Sequence, residues 1–189
     1  RCRELLLPGT AVRLEVSDNP KRKTKYDLVA VYKQGLGWVN MDSQAPNRAA
    51  GEALPRLFPG LTLLRPETKC GDSRLDFYLE AAGKNWFVEV KGVTLEEDGL
   101  ALFPDAPTER GVRHLRELAC IARAGGGAAA LFVIQMKGPR AFSPNQKTHP
   151  AFAQALCEAR EAGVRLMAYD CLVTPRGMTL DSPVPIVLP

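Results

Sequence analysis

Asp76, Glu89 and Lys91 are the residues of this chain whose types and spacing best suit chemistry. Residues 74–80 and 86–91 each alternate between apolar and polar side chains, the period of a β-strand. The connection at residues 81–85 is short and contains Gly83, which favours an antiparallel hairpin. Folding about Ala82-Gly83 sets Phe77 opposite Val88 and Leu75 opposite Val90 on an apolar face. It also sets Asp76 opposite Glu89, and Arg74 opposite Lys91, on a polar one. Two carboxylates about 5 Å apart repel across a sheet. Either one is protonated or a cation lies between them. Mg²⁺ or Mn²⁺ takes oxygen ligands of this kind, with Asp76 and Glu89 as the metal-holding pair. Lys91, on the face of Glu89, would then orient a water or stabilise charge growing on a phosphate. The plainer alternative is an exposed polar sheet face on which Lys91 is a salt-bridge partner.

The elements that must position these residues are legible in outline. Residues 10–17, 26–33 and 38–41 read as three strands of a small antiparallel unit separated by turn residues. Its unprotected edges imply that further strands, preceding those in this chain, complete it. From about Asn47 the pattern changes. Residues 48–58 are a helix candidate interrupted by Pro55, and residues 61–69, 74–80 and 86–95 read as strands. Residues 108–124 form a long amphipathic helix stopped by glycines, and residues 128–136 a buried strand. Residues 150–162 form another helix, and residues 164–174 and 178–180 a last strand pair. This order predicts a mixed α+β or α/β sheet flanked by helices. The predicted division is 1–46 and 47–189.

Two basic features suit a polyanion. Lys21, Arg22, Lys23 and Lys25 crowd one loop beside Tyr26, so phosphate contact with base stacking is one reading and a solvated turn the other. Arg110, Arg113 and Arg116 step along the 108–124 helix with His114 between them. Arg110 and His114 share a face near its start, where a phosphate would be favoured. Arginines paired to Glu109 and Glu117 on a solvated face are the alternative. No helix-turn-helix or zinc-finger pattern is present, so backbone contacts to nucleic acid should dominate.

Composition narrows the field. Among 189 residues, hydrophobic types make up 46% and charged types 24%, ordinary for a globular protein, and the net charge of +4 favours an anionic partner only weakly. No apolar run suits a membrane span, and the charged opening Arg1-Cys2-Arg3-Glu4 does not read as a leader. Five cysteines without a Cys-x-x-Cys pair argue against a zinc ribbon or a disulfide framework and point to reduced thiols in the cytoplasm. Two histidines, His114 and His149, leave oxygen as the ligand of any metal.

The order of elements around Asp76…Glu89-Val90-Lys91 resembles the PD-(D/E)xK nuclease superfamily, with Leu75 where that name has proline. More specific are residues 17–23, 45–48, 73–77, 88–95, 103–111 and 114–118, which are similar, in that order, to the bacterial sugar fermentation stimulation protein A family. The resemblance spans the whole chain. It implies an OB-like N-terminal β-barrel, incomplete here, joined to a PD-(D/E)xK-like domain. It also implies sequence-nonspecific DNA binding and a role in regulating sugar (maltose) metabolism. In the superfamily a first-helix glutamate assists the metal; Glu52 matches that position, with Glu67 a weaker substitute. Three readings therefore stand: a DNA-binding regulator, an active Mg²⁺- or Mn²⁺-dependent nuclease, and a nuclease-like fold kept only for binding.

Overall fold

A computed structural model describes residues 2–70 and 73–189. In chain order the elements are β1 (Val12–Val16), β2 (Tyr26–Lys33), β3 (Gly37–Asn40), α1 (Ala45–Leu57), β4 (Leu61–Cys70), β5 (Ser73–Ala81), β6 (Lys84–Val93), β7 (Leu95–Glu97), β8 (Leu100–Phe103), α2 (Glu109–Arg123), β9 (Gly127–Ile134), β10 (Ala141–Pro144), α3 (Pro150–Glu161), β11 (Arg165–Thr174) and β12 (Gly177–Pro183). A six-stranded mixed sheet in the order β12-β11-β9-β6-β5-β4 is parallel at β6–β9 and β9–β11 and antiparallel elsewhere. Strand β9 is buried along its whole length, as a central parallel strand covered on both faces must be.

Helix α1 covers one face through Ala49, Ala50, Leu54 and Leu57, packed on Phe77, Leu79, Val88 and Val90. Helices α2 and α3 cover the other through Val112, Leu115, Leu118, Phe152 and Leu156, packed on Ala128, Ala130 and Phe132. Each large apolar side chain fully buried here stabilises the fold by roughly 1.5–3 kcal/mol. Thr108 caps α2 by accepting from the Gly111 amide at 3.1 Å. Helix α1 starts earlier than expected, at Ala45, and runs on through Pro55, whose ring faces outward.

The β5–β6 hairpin has the predicted register: Phe77 pairs with Val88 and Ala81 with Lys84. Its two-residue turn places Ala82 at φ +50° and Gly83 at φ +74°, the double left-handed conformation that matches strand twist. Beyond Phe77, however, the ladder stops. Asp76 and Glu89, Leu75 and Val90, and Arg74 and Lys91 are not ladder partners, contrary to the sequence expectation. The expected single apolar face also divides at this point. Phe77 and Leu79 pack toward α1, whereas Leu75 packs in the cluster of α2 and α3. The strand therefore turns over at Asp76, and its carboxylate, not its backbone, meets β6.

A second departure is a small sheet, β10-β8-β7, absent from the sequence reading. The first three strands form the expected antiparallel unit, β1-β2-β3. They are continuous with the rest: Val31 and Val39 join the core beneath α2, and the Asn40 amide donates to the Gln135 carbonyl at 2.8 Å. No helix among the described residues is long and apolar enough to cross a membrane.

Candidate functional site

Three elements converge on the break in the β5–β6 ladder. The Val90 amide, deprived of a strand partner, donates to Asp76 Oδ2 at 2.7 Å, and Asn47 Nδ2 on the first turn of α1 donates to Oδ1 at 2.9 Å. Gly92 lets α1 approach this closely: a Cβ there would lie 2.7 Å from Pro46 Cγ and 2.4 Å from Gln135 Oε1. Glu89 points to the opposite helix layer. Its Oε1 takes hydrogen bonds from Lys91 Nζ and from His114 Nδ1 on α2. Glu89 is 3% exposed, His114 2%, and the Lys91 side chain 15%. Glu89 Oε2 is buried with no hydrogen-bond partner among the described residues.

The two carboxylates have opposite electrostatics. Burial, then the charge of Glu89, pushes Asp76 above the ordinary carboxylate range, against the opposing pull of the Val90 amide, Asn47 and Lys91. Burial also acts to raise Glu89, but the hydrogen bonds and charges of His114 and Lys91 together outweigh it and hold Glu89 below that range. Ionisation is thus made easier for Glu89 and harder for Asp76 than for an ordinary carboxylate. The donor set fits a hard divalent cation: two carboxylates, one with a buried oxygen left over. Among the described residues no group of three or more His, Cys, Asp and Glu side chains converges as a metal cage. The protein's share of a coordination sphere here would be the two carboxylates, with water and substrate oxygens completing it.

The remaining predicted residues distribute as follows. Glu52 is not brought to Asp76; it lines a separate cleft of about 560 Å³ with Arg13, Asp42, Arg48 and Arg176. Glu67 is 72% exposed on its side chain and pairs with Arg74 at 3.2 Å. Arg113 and Arg116 are exposed on α2, with Arg110 one turn before His114. His114 does not stand beside them at the surface: it is turned inward to Glu89, and Arg110 Nε donates to its Nε2 at 3.3 Å. Lys21, Arg22, Lys23 and Lys25 are all exposed on the loop between β1 and β2, where Arg22 forms a two-point pair with Asp27 and Lys25 Nζ lies 5.9 Å from the Tyr26 ring. Sequence reasoning missed Asn47 as the anchor of Asp76 and His114 as the anchor of Glu89. The i, i+4 spacing of Arg110 and His114 was the available signal for the second.

Comparison with known proteins decides the family. Residues 44–177 match the sugar fermentation stimulation protein RE domain, and residues 1–41 match the SfsA N-terminal OB domain. The chain belongs to the sugar fermentation stimulation protein (SfsA) family. Family homologues include one from Ruminiclostridium cellulolyticum, 49% identical over 100% of this chain and 84% of the relative, and one from Desulfitobacterium hafniense, 54% identical over 92% and 76%. SfsA from Pyrococcus furiosus, solved in complex with Ca²⁺, superposes with a TM-score of 0.87 at 29% identity, covering 100% of this chain and 82% of that one. The OB assignment gives β1–β3 their family context, and the RE match takes in the whole Asp76–Glu89–Lys91 constellation.

Proposed function

We propose that this SfsA-family chain binds DNA without sequence preference, mainly through backbone phosphates, and holds Mg²⁺ or Mn²⁺ at Asp76 and Glu89 in a site of phosphodiester-hydrolysing type. The observation that carries the reading is Glu89 Oε2, a buried carboxylate oxygen without a hydrogen-bond partner among the described residues, beside a second carboxylate that burial pushes above its ordinary range. An unsatisfied buried polar atom costs about 1–3 kcal/mol, more when charged, and a cation at this position relieves both defects. The Ca²⁺ complex of the Pyrococcus furiosus relative supports a divalent ion, since Ca²⁺ and Mg²⁺ share oxygen ligands.

A bound ion would neutralise charge on a phosphate at the site. The chain's own groups do the rest. Asn47 and the Val90 amide hold Asp76 in place, His114 and Lys91 hold Glu89, and Lys91, partly open to solvent, can turn a donor toward a water or a phosphoryl oxygen. Exposed Lys21, Lys23, Lys25, Arg113 and Arg116 are suited to backbone phosphates.

Titration of the protein with Mn²⁺, followed by incubation with DNA in Mg²⁺, Mn²⁺ or EDTA, tests the proposal. Cation binding and cutting that disappear in Asp76→Asn are expected; cutting that survives the substitution would overturn it. Binding without turnover is the second reading, favoured by the enclosure of Glu89 and its engagement with Lys91. Through such binding the chain would serve a role in regulating sugar (maltose) metabolism. Intact DNA alongside a salt-dependent affinity would select it.

A further inference from the structure

We infer that Arg110 and His114 form a positioning relay that ties a nucleic-acid phosphate at the surface to the orientation of Glu89, so that cation and DNA bind cooperatively. This rests on the cation reading above and adds to it a means by which substrate controls the site.

The hydrogen bonds define the relay. An ionised carboxylate only accepts and a guanidinium only donates. His114 therefore carries its proton on Nδ1, toward Glu89 Oε1, and accepts from Arg110 through Nε2 at 3.3 Å. Both ring nitrogens are committed, and the ring is 2% exposed, so its orientation depends on Glu89 at one side and on Arg110 at the other. With Oε1 occupied by His114 and Lys91, the carboxylate plane is set and Oε2 is the oxygen left over. Arg110 is the outer end. It is exposed on the first turn of α2, and its other guanidinium N–H groups have no partner among the described residues. A phosphate held by those groups fixes the guanidinium plane, hence the imidazole, hence Glu89. Glu109, beside it, is turned to His149 at 3.2 Å and leaves Arg110 as the cation of this turn. Groups that orient a metal ligand from behind typically contribute about 10–100-fold in metal affinity. Linkage makes the effect reciprocal: what a phosphate does for the cation, the cation does for the phosphate.

The test measures Mn²⁺ affinity by calorimetry on the full chain, alone and with a short phosphorothioate duplex that resists cutting. Wild type is expected to bind Mn²⁺ at least about 5-fold more tightly with the duplex present. His114→Ala is expected to bind Mn²⁺ about 10–100-fold more weakly and to lose the effect of DNA. His114→Asn, whose amide can replace the Nδ1 donor but offers Arg110 no matching acceptor, should recover affinity without recovering the coupling. Arg110→Ala should bind Mn²⁺ no more tightly with the duplex present than without it. Thermal unfolding establishes that each variant is folded; should His114→Ala not fold, the asparagine variant and Arg110→Ala carry the test. Wild-type affinity in folded His114→Ala, or undiminished coupling in Arg110→Ala, overturns the relay alone. A wild-type protein that binds no Mn²⁺ overturns the cation reading and the relay with it.

Discussion

The chain holds its charged groups in two contrasting ways. At the break in the β5–β6 hairpin, Asp76, Glu89, Lys91 and His114 are buried or nearly so; Asp76 is held from α1 and β6, Glu89 from α2 and by its strand neighbour Lys91. In the loop between β1 and β2, four basic side chains stand in solvent, and one of them, Arg22, is held by a nearby carboxylate. The first arrangement costs desolvation and orders its groups, which suits a site that must present oxygen atoms at fixed positions. The second costs little and orders little, which suits contact with a phosphate backbone whose position varies. Geometry gives the buried site its value; charge density gives the loop its value.

Substitution inside the buried site should break this contrast most sharply. Asp76→Ala removes a cation ligand and strands the Val90 amide and Asn47, so Mn²⁺ affinity should fall by more than the roughly 100-fold ceiling typical of an outer supporting residue. Calorimetry checks it, and affinity within tenfold of wild type would remove Asp76 from the site. The matching change in the loop, Lys21, Lys23 and Lys25 together to Gln, should leave Mn²⁺ affinity and thermal stability unchanged. The slope of log affinity for duplex DNA against log salt should shrink by about 0.9 for each phosphate that the loop no longer neutralises. An unchanged slope would show that the loop touches no phosphate.

A pH series sharpens the comparison within the acidic pair. Asp76 is raised in the folded protein, so its contribution to stability is present below its unfolded value and lost as pH rises through the raised one. Glu89 is lowered, so its contribution is present above its unfolded value and lost as pH falls through the folded one. Cation binding requires Asp76 ionised, so stabilisation by Mn²⁺ should fade, on acidification, at a pH above the usual Asp value of about 3.9. Melting temperatures with and without Mn²⁺ across mildly acidic pH would show it. The smallest effect concerns thiols. Burial, and then the charge of Asp170, pushes Cys171 up to about 12, whereas Cys120 is exposed. Alkylation at neutral pH should mark Cys120 and spare Cys171, as read by peptide mass.

Much of the hairpin was legible because its signals are local. The alternation of residues 74–80 and 86–91 and the Ala82-Gly83 turn fixed the register through Phe77 and Val88. The break at Asp76 was not legible, because it depends on Leu75 finding a pocket beneath α2 while Phe77 finds one beneath α1. The β7–β8 hairpin was missed although Asp98-Gly99, both at positive φ, is a recognised turn signal; its strands of three and four residues are too short for alternation to register. Glu52 was expected near the cation because it lies on the first helix. The helix instead presents Asn47 to Asp76 and turns Glu52 into another cleft, a matter of rotation about an axis that only packing sets.

By itself, then, the chain's order of residues determined the turns, the helix and strand periods, the family and the identities of the two acids and the lysine, since these rest on neighbours within a few positions. Tertiary structure alone decided which carboxylate is pushed above its ordinary range and which is held below it, and that His114 serves Glu89 from within. Those outcomes depend on burial and on partners brought in from distant segments, and the free energy of a buried charge is governed by what surrounds it in space.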